Sequence, residues 1–206
     1  MKTIASYIIF GTMALTVASC SDGWLDVEPS TAVETDKSIN ELSDVNIMLN
    51  GIYTTMQDAY AYSGRLVYYG DACGDDMMAY SSTKRTGNYY TFNFTKDTAP
   101  STFWSYPYKM IGLCNIILAK IDNLETKETE LRDYYKGQAL ALRAMLLFDL
   151  TKFYGYPYKK DNGASLAVPI VTTVLDKEAN PKRNTVAECY SQVIADLKAA
   201  VAAMDN

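Results

Sequence analysis

Histidine is absent from all 206 residues. Its absence excludes Ser-His and Cys-His nucleophile pairs, imidazole general bases and zinc sites with imidazole ligands. Cationic excess is missing too: 19 Lys and Arg stand against 24 Asp and Glu, a net charge of −5 with a pI near 4.8. Phosphate neutralisation needs clustered Lys and Arg, so nucleic acid is not an expected partner. Tryptophan occurs twice and phenylalanine six times, whereas tyrosine occurs 17 times. Tyrosine pairs a flat apolar face with a hydroxyl that can stay hydrated, and this bias favours binding surfaces. A 49% hydrophobic content is that of a core-forming globular chain.

A run of about 20 apolar residues, the length of a spanning helix, is also lacking. The apolar stretch Ile4 to Val17 is shorter, follows the positive Lys2, and ends in Val17-Ala18-Ser19 before Cys20. These are the parts of an export signal over residues 1–19. The small-residue triplet directly before a cysteine resembles a bacterial lipobox, which makes Cys20 the expected lipidation site. Several acyl chains on one residue suffice for stable attachment, at about 0.8 kcal/mol per buried CH₂. An ordinary secretory signal with Cys20 incidental is the simpler rival. Cleavage removes only Lys2 among the charged residues, so the mature chain is one unit more negative. It keeps Cys73, Cys114 and Cys189, an odd number with no C-x-x-C spacing, so neither a disulfide framework nor a metal cluster is indicated. No cofactor is implied.

Residues 20–37 mix acids, Ser, Thr and Pro, the composition of a tether, with Trp24 and Leu25 as candidates to dock on the body. Ser38-Ile39-Asn40-Glu41 reads as a capping box. Leu42, Val45, Leu49, Ile52, Tyr53 and Met56 continue with helical spacing to about Tyr60. Residues 61–102 lose that period and become rich in Tyr, Gly, Ser, Thr and Asp, which predicts a long loop with a short strand or hairpin arm over 89–95. Helical spacing returns from Trp104, on the expected core stripe, through Pro107, Ile111, Cys114 and Leu118 to Ile121. Leu131 to Phe153 gives a buried helix stopped by Gly155 and Pro157. Leu166 to Thr172, interrupted by Pro169, predicts an extended edge segment. Thr185-Val186-Ala187-Glu188 is a second capping box, followed by a stripe of Val186, Tyr190, Val193, Leu197, Val201 and Met204. The expected fold is mainly all-α: antiparallel helix pairs of tetratricopeptide-like kind, a long Tyr-rich loop and little β structure.

Several of these patterns together resemble the SusD/RagB family of Bacteroidetes outer-membrane lipoproteins, in its N-terminal helical region. They are Cys20-Ser21-Asp22-Gly23-Trp24-Leu25-Asp26; Phe103-Trp104 with Tyr108-Lys109-Met110-Ile111 and Asn115; Gln138-Ala139, Leu142-Arg143-Ala144, Phe148-Asp149-Leu150, Tyr154-Gly155 and Pro157; and Arg183, Thr185, Glu188-Cys189-Tyr190, Ile194 and Asp196-Leu197. Gln138 departs from the Glu more usual there. The large C-terminal portion of typical members is not represented, so residues 38–206 are expected to be the N-terminal helical domain alone. The resemblance implies a cell-surface, non-enzymatic lipoprotein that captures oligosaccharide and passes it to a SusC-like TonB-dependent transporter in the outer membrane.

Sugars present hydroxyl rims and apolar C–H faces, which call for aromatic planes beside amides, carboxylates or guanidinium groups. Arg65, Tyr80, Arg85, Asn88 and Tyr89 in the loop are the candidate glycan-binding residues, although tyrosines there can equally fold inward over the scaffold. An interaction scaffold without its own glycan site is the main alternative. A glycoside hydrolase is disfavoured, because the adjacent Asp75-Asp76 cannot readily place two carboxyls 5–9.5 Å apart across a sugar ring. Arg143, inside the apolar third helix, is expected to need a compensating carboxylate, Asp149 or Asp196. Asn93-Phe94-Thr95 fits a glycosylation sequon only by chance in a bacterial lipoprotein.

Overall fold

A tight start sets the first helix. Asp44 accepts hydrogen bonds from the backbone N–H of Asn40 (2.8 Å) and Glu41 (3.1 Å), so the capping box is Glu41 with Asp44 and not Ser38 with Glu41. The shift of three residues lets Ile39 drop into the core while its neighbours' amides are satisfied. The structure is a computed structural model that describes residues 38–74, 76–80, 87–93, 95, 97 and 100–205. The export signal, Cys20, the tether with Trp24 and Leu25, Asp75 and Arg85 lie outside the described residues.

The described residues form six α-helices: α1 (Leu42–Met56), α2 (Arg65–Cys73), α3 (Gly87–Tyr90), α4 (Thr102–Lys120), α5 (Thr129–Tyr154) and α6 (Val186–Met204). Helix α1 stops four residues short of Tyr60. There Asp58 folds the chain back, its side chain accepting the Tyr60 N–H at 2.7 Å and its carbonyl the Ala61 N–H at 2.9 Å. The expected loop at 61–102 contains α2 and the single turn α3. In place of a hairpin arm at 89–95, α3 leads into Phe92 at φ 52°, a left-handed turn.

Cross-links fix the helix directions. Along α5, Gly137, Arg143 and Gly155 meet Ala200, Asp196 and Val186 of α6 in reverse order, so the two helices are antiparallel. Lys136, Arg143 and Tyr154 of α5 meet Asp122, Asn115 and Trp104 in the same way, so α4 also runs against α5. Their shared core contains Leu49, Ile52, Met110, Ile111, Ile117, Leu146 and Leu150, each 2% exposed or less. Burying one such side chain contributes roughly 1.5–3 kcal/mol.

Two assignments to the core differ from the sequence expectation. Phe103 (1% exposed), with Pro107, Met110 and Ile111, forms the inner stripe of α4, and Trp104 lies about 100° around the helix at 38% exposure. Its ring rests against Tyr108 and Tyr154, with centroids 5.0 Å from each. Pro107 is the sixth helical residue, beyond the first turn, and removes one rung of α4. On α6, Leu197 and Val201 face outward, and Asp196 and Ala200 face α5. Asp196 turns inward to pair with Arg143. Ala200 faces Gly137, where a Cβ would lie 3.0 Å from the Ala200 carbonyl oxygen.

The 155–185 connection contains the expected extended segment, which forms a single antiparallel bridge, Leu166 with Thr185. Side chains replace the missing strand. The carbonyls of Pro169, Thr172 and both Val171 and Thr173 accept from Tyr108, Arg143 and Asn115 respectively, and Arg183 serves Leu166 and Ala167. A buried backbone needs such partners. The Thr185–Glu188 capping box forms as expected, with reciprocal bonds of 3.2 and 2.7 Å, and launches α6.

Candidate functional site

Helices α2 and α3 close one end of the bundle, where α1 ends, α4 begins and α5 ends. The Asp58 turn throws Tyr60 outward, and the following residues return tightly: a Cβ at Gly64 would lie 2.4 Å from the Ala59 carbonyl oxygen. This return places the Arg65 guanidinium over the Tyr60 ring, 4.1 Å from its centroid. The pair is a cation–π stack whose ring remains 40% exposed. At the same end, Tyr69 meets Tyr89, Phe103 and Phe153 edge-on, at centroid separations of 4.9, 4.9 and 5.8 Å. Such geometry suits the ring quadrupoles and holds the end cap as an aromatic cluster.

The structure brings Arg65, Asn88 and Tyr89 to this same end. Tyr89 is 5% exposed, its ring in the cluster, and Asn88 is half-buried. Burial raises the Tyr89 hydroxyl above its ordinary value, and the nearby Arg65 charge works in the opposite direction. Tyr80 is wholly exposed. Arg85 lies outside the described residues. Tyr62 donates to Asp149 at 2.6 Å, and Asp149 pairs with Lys152 at 2.8 Å. Burial and then the Asp149 hydrogen bond raise the Tyr62 phenol, keeping it a donor.

Beside the Tyr60–Arg65 stack lies an open groove of about 430 Å³ lined by Thr54, Thr55, Gln57 and Asp58 from the end of α1 and by Tyr106 and Lys109 of α4. The half-buried Tyr106 hydroxyl donates to Asp58. Desolvation, then the Asp58 charge and hydrogen bond, and then Tyr60 raise its proton affinity. The sequence reading missed this lining. Gln57-Asp58 and Tyr106…Lys109 are ordinary surface spacings, and only the antiparallel packing of α1 on α4 joins them.

Arg143 belongs to the scaffold. Its Nε and Nη2 make a bidentate pair with Asp196 at 2.8 and 2.7 Å, Nη1 donates to Asn115 at 2.9 Å, and Gln192 donates to Asp196 at 2.9 Å. Asp196 is therefore the compensating carboxylate; Asp149 serves Tyr62 and Lys152. Hydrogen bonds lower the carboxyls of Asp161 and Glu188 below their ordinary values, chiefly from Ser165 for the first and Thr185 for the second. Cys73, Cys114 and Cys189 are all free thiols.

A family model described as starch-binding, associating with the outer membrane, matches residues 23–206, and the chain belongs to this SusD-like family. Among solved structures, a proposed sugar-binding protein of Bacteroides vulgatus is 61% identical, with a TM-score of 0.78 over 81% of this chain and 38% of its own. A SusD superfamily protein of Bacteroides thetaiotaomicron is 35% identical, with a TM-score of 0.73 over 79% and 37%. A SusD-like carbohydrate-binding protein of Bacteroides vulgatus is 27% identical, with a TM-score of 0.66 over 80% and 36%. The chain thus spans less than two-fifths of the length of these relatives. No match is found among curated proteins. No helix among the described residues is long and apolar enough to cross a membrane.

Proposed function

We propose that the chain is the helical part of a cell-surface lipoprotein, attached through Cys20, that captures oligosaccharide and passes it to a SusC-like TonB-dependent transporter in the outer membrane. It works by binding and carries out no bond cleavage. The observation that carries the reading is the exposed Tyr60–Arg65 stack at the α2/α3 end, in a chain of a starch-binding, outer-membrane-associated family. The ring offers a stacking face and the guanidinium offers paired donors, the two things a sugar requires. Arg65, Tyr80, Arg85 and Asn88 remain the proposed contacts, with Tyr80 reaching outward, whereas Tyr89, buried in the aromatic cluster, supports this end from within.

A glycan array probed with the full chain in detergent tests this. Binding by the parent and its loss in Arg65→Ala support the reading. No binding, or release of reducing ends from the glycan, overturns it. A second reading, an interaction scaffold, is favoured by the outward face of α6, where Ile194, Leu197 and Val201 are 50, 44 and 58% exposed. A helix that is apolar on all sides is usually covered. On that reading Leu197→Asp abolishes co-purification with the transporter, and no glycan is bound.

A further inference from the structure

We infer that the groove between the end of α1 and the first half of α4 is a subsite for a sugar unit of a neutral glycan, continuing the surface begun by Tyr60 and Arg65. The inference rests on the glycan-binding reading and adds to it a location and a ligand class. At about 430 Å³ the groove falls within the range of small-ligand sites. Its polar groups are spare. The Gln57 amide and the Lys109 ammonium have no hydrogen-bond or ion-pair partner among the described residues, and both line the groove. Thr54 and Thr55 donate their hydroxyl protons to the carbonyls of Asn50 and Gly51 at 2.8 and 2.9 Å, leaving each oxygen as an acceptor. Asp58 is fixed by the Tyr60 N–H and the Tyr106 hydroxyl, and a carboxylate has lone pairs beyond those two bonds. The groove therefore offers donors and acceptors around the Tyr106 ring. Sugar hydroxyls, each donor and acceptor at once, match that mixture.

Charge decides the ligand class. Asp58 sets a carboxylate in the same groove wall as the Lys109 ammonium, the Arg65 guanidinium keeps its charge and its donors above the Tyr60 ring, and the whole chain carries −5. An acid set among these cations, in a chain that is negative overall, favours a neutral ligand over a polyanion. The relation of the groove to the stack is direct: Asp58 in the groove wall accepts the backbone N–H of Tyr60 at 2.7 Å.

Calorimetric titration of the full chain in detergent with malto-, laminari- and xylo-hexaose, and with an oligogalacturonate, tests the inference. The expected result is binding of a neutral hexaose, weakened tenfold or more in Lys109→Ala and Gln57→Ala with unchanged melting temperatures, and no preference for the oligogalacturonate. Both side chains are exposed, so neither variant threatens the fold. Binding equal to the parent's in both variants, with loss in Arg65→Ala, overturns the groove and leaves the glycan reading standing. Tighter binding of the oligogalacturonate overturns the ligand class. Failure of the parent to bind any of the probes overturns both.

Discussion

At the scale of single residues, the most consequential pair is Arg143 with Asp196, whose side chains are 9% and 5% exposed. The guanidinium is out of water, and each of its polar directions is met by Asp196, Asn115 or the Thr172 carbonyl. Removing only the carboxylate leaves a buried positive charge. Asp196→Ala is therefore expected to cost about 3–5 kcal/mol in urea denaturation, whereas Arg143→Met/Asp196→Leu recovers much of that loss. Equal losses in the single and the double variant would show that the charge itself was not the burden. Burial acts on other residues through protons. Cys114 is pushed up to about 12 by burial, and Tyr69 to about 12 by burial and then its Cys73 neighbour; burial also raises Tyr62 and Tyr108. Above about pH 8.5–10 the unfolded chain ionises these groups while the folded chain keeps them protonated. The unfolded state then binds fewer protons, so stability falls as pH rises through that window and is unaffected by these groups below it. Melting temperatures measured from pH 7 to 11 check the sign; a flat profile contradicts it.

At the scale of elements, the end of α5 shows how closely the chain must pass. A Cβ on Gly155 would lie 2.7 Å from the Thr151 carbonyl oxygen and 3.1 Å from both Ala167 and Val186, and the backbone oxygen cannot swing aside. Gly155→Ala is expected to destabilise by about 1–3 kcal/mol, the usual cost of overpacking. Chemical denaturation measures it, and a variant as stable as the parent would mean that the extended segment yields. The sequence made this stop legible as Gly followed by Pro, together with α5, α6 and the Thr185–Glu188 box, because periodicity and capping are local signals. What it hid was long-range. Two potential capping boxes overlap at 38–44, and burial of Ile39 selects the second. Helix α2 carries Leu66, Tyr69, Ala72 and Cys73 at helical spacing, but its tyrosines and Gly70 made RLVYYGDAC read as loop. Trp104 and Phe103 are adjacent, so only the neighbouring helices decide which of them faces inward. Of the candidate site, the loop residues were proposed from composition, whereas Gln57, Asp58 and Tyr106 had no local signal and Lys109 entered only within the family-like stretch Tyr108-Lys109-Met110-Ile111.

At the scale of the molecule, the bundle is unequally supported, and the proposed binding surface lies at its weaker end. Helices α4, α5 and α6 share the large core with α1, while α2 contributes Leu66 and Ala72 as its buried residues and α3 is a single turn. The smaller cluster, Ala61, Leu66 and Phe103 under the tyrosine rings, is what ties this end to the bundle. Segments with few buried apolar contacts open locally at a fraction of the global free energy, and binding surfaces are commonly drawn from them. Amides of α2 and α3 are therefore expected to exchange hydrogen at least tenfold faster than those of α5 and α6. A ligand that bridges the Tyr60–Arg65 stack and the groove binds only the closed form, and at 100 times its dissociation constant it stabilises that form by about 2.7 kcal/mol. Hydrogen exchange with and without a bound oligosaccharide should show the slowing concentrated in α2, α3 and the 57–62 turn, with α6 unchanged. Slowing spread evenly over the bundle would place the ligand elsewhere, and exchange already as slow in α2 as in α5 would remove the weak end on which the coupling depends.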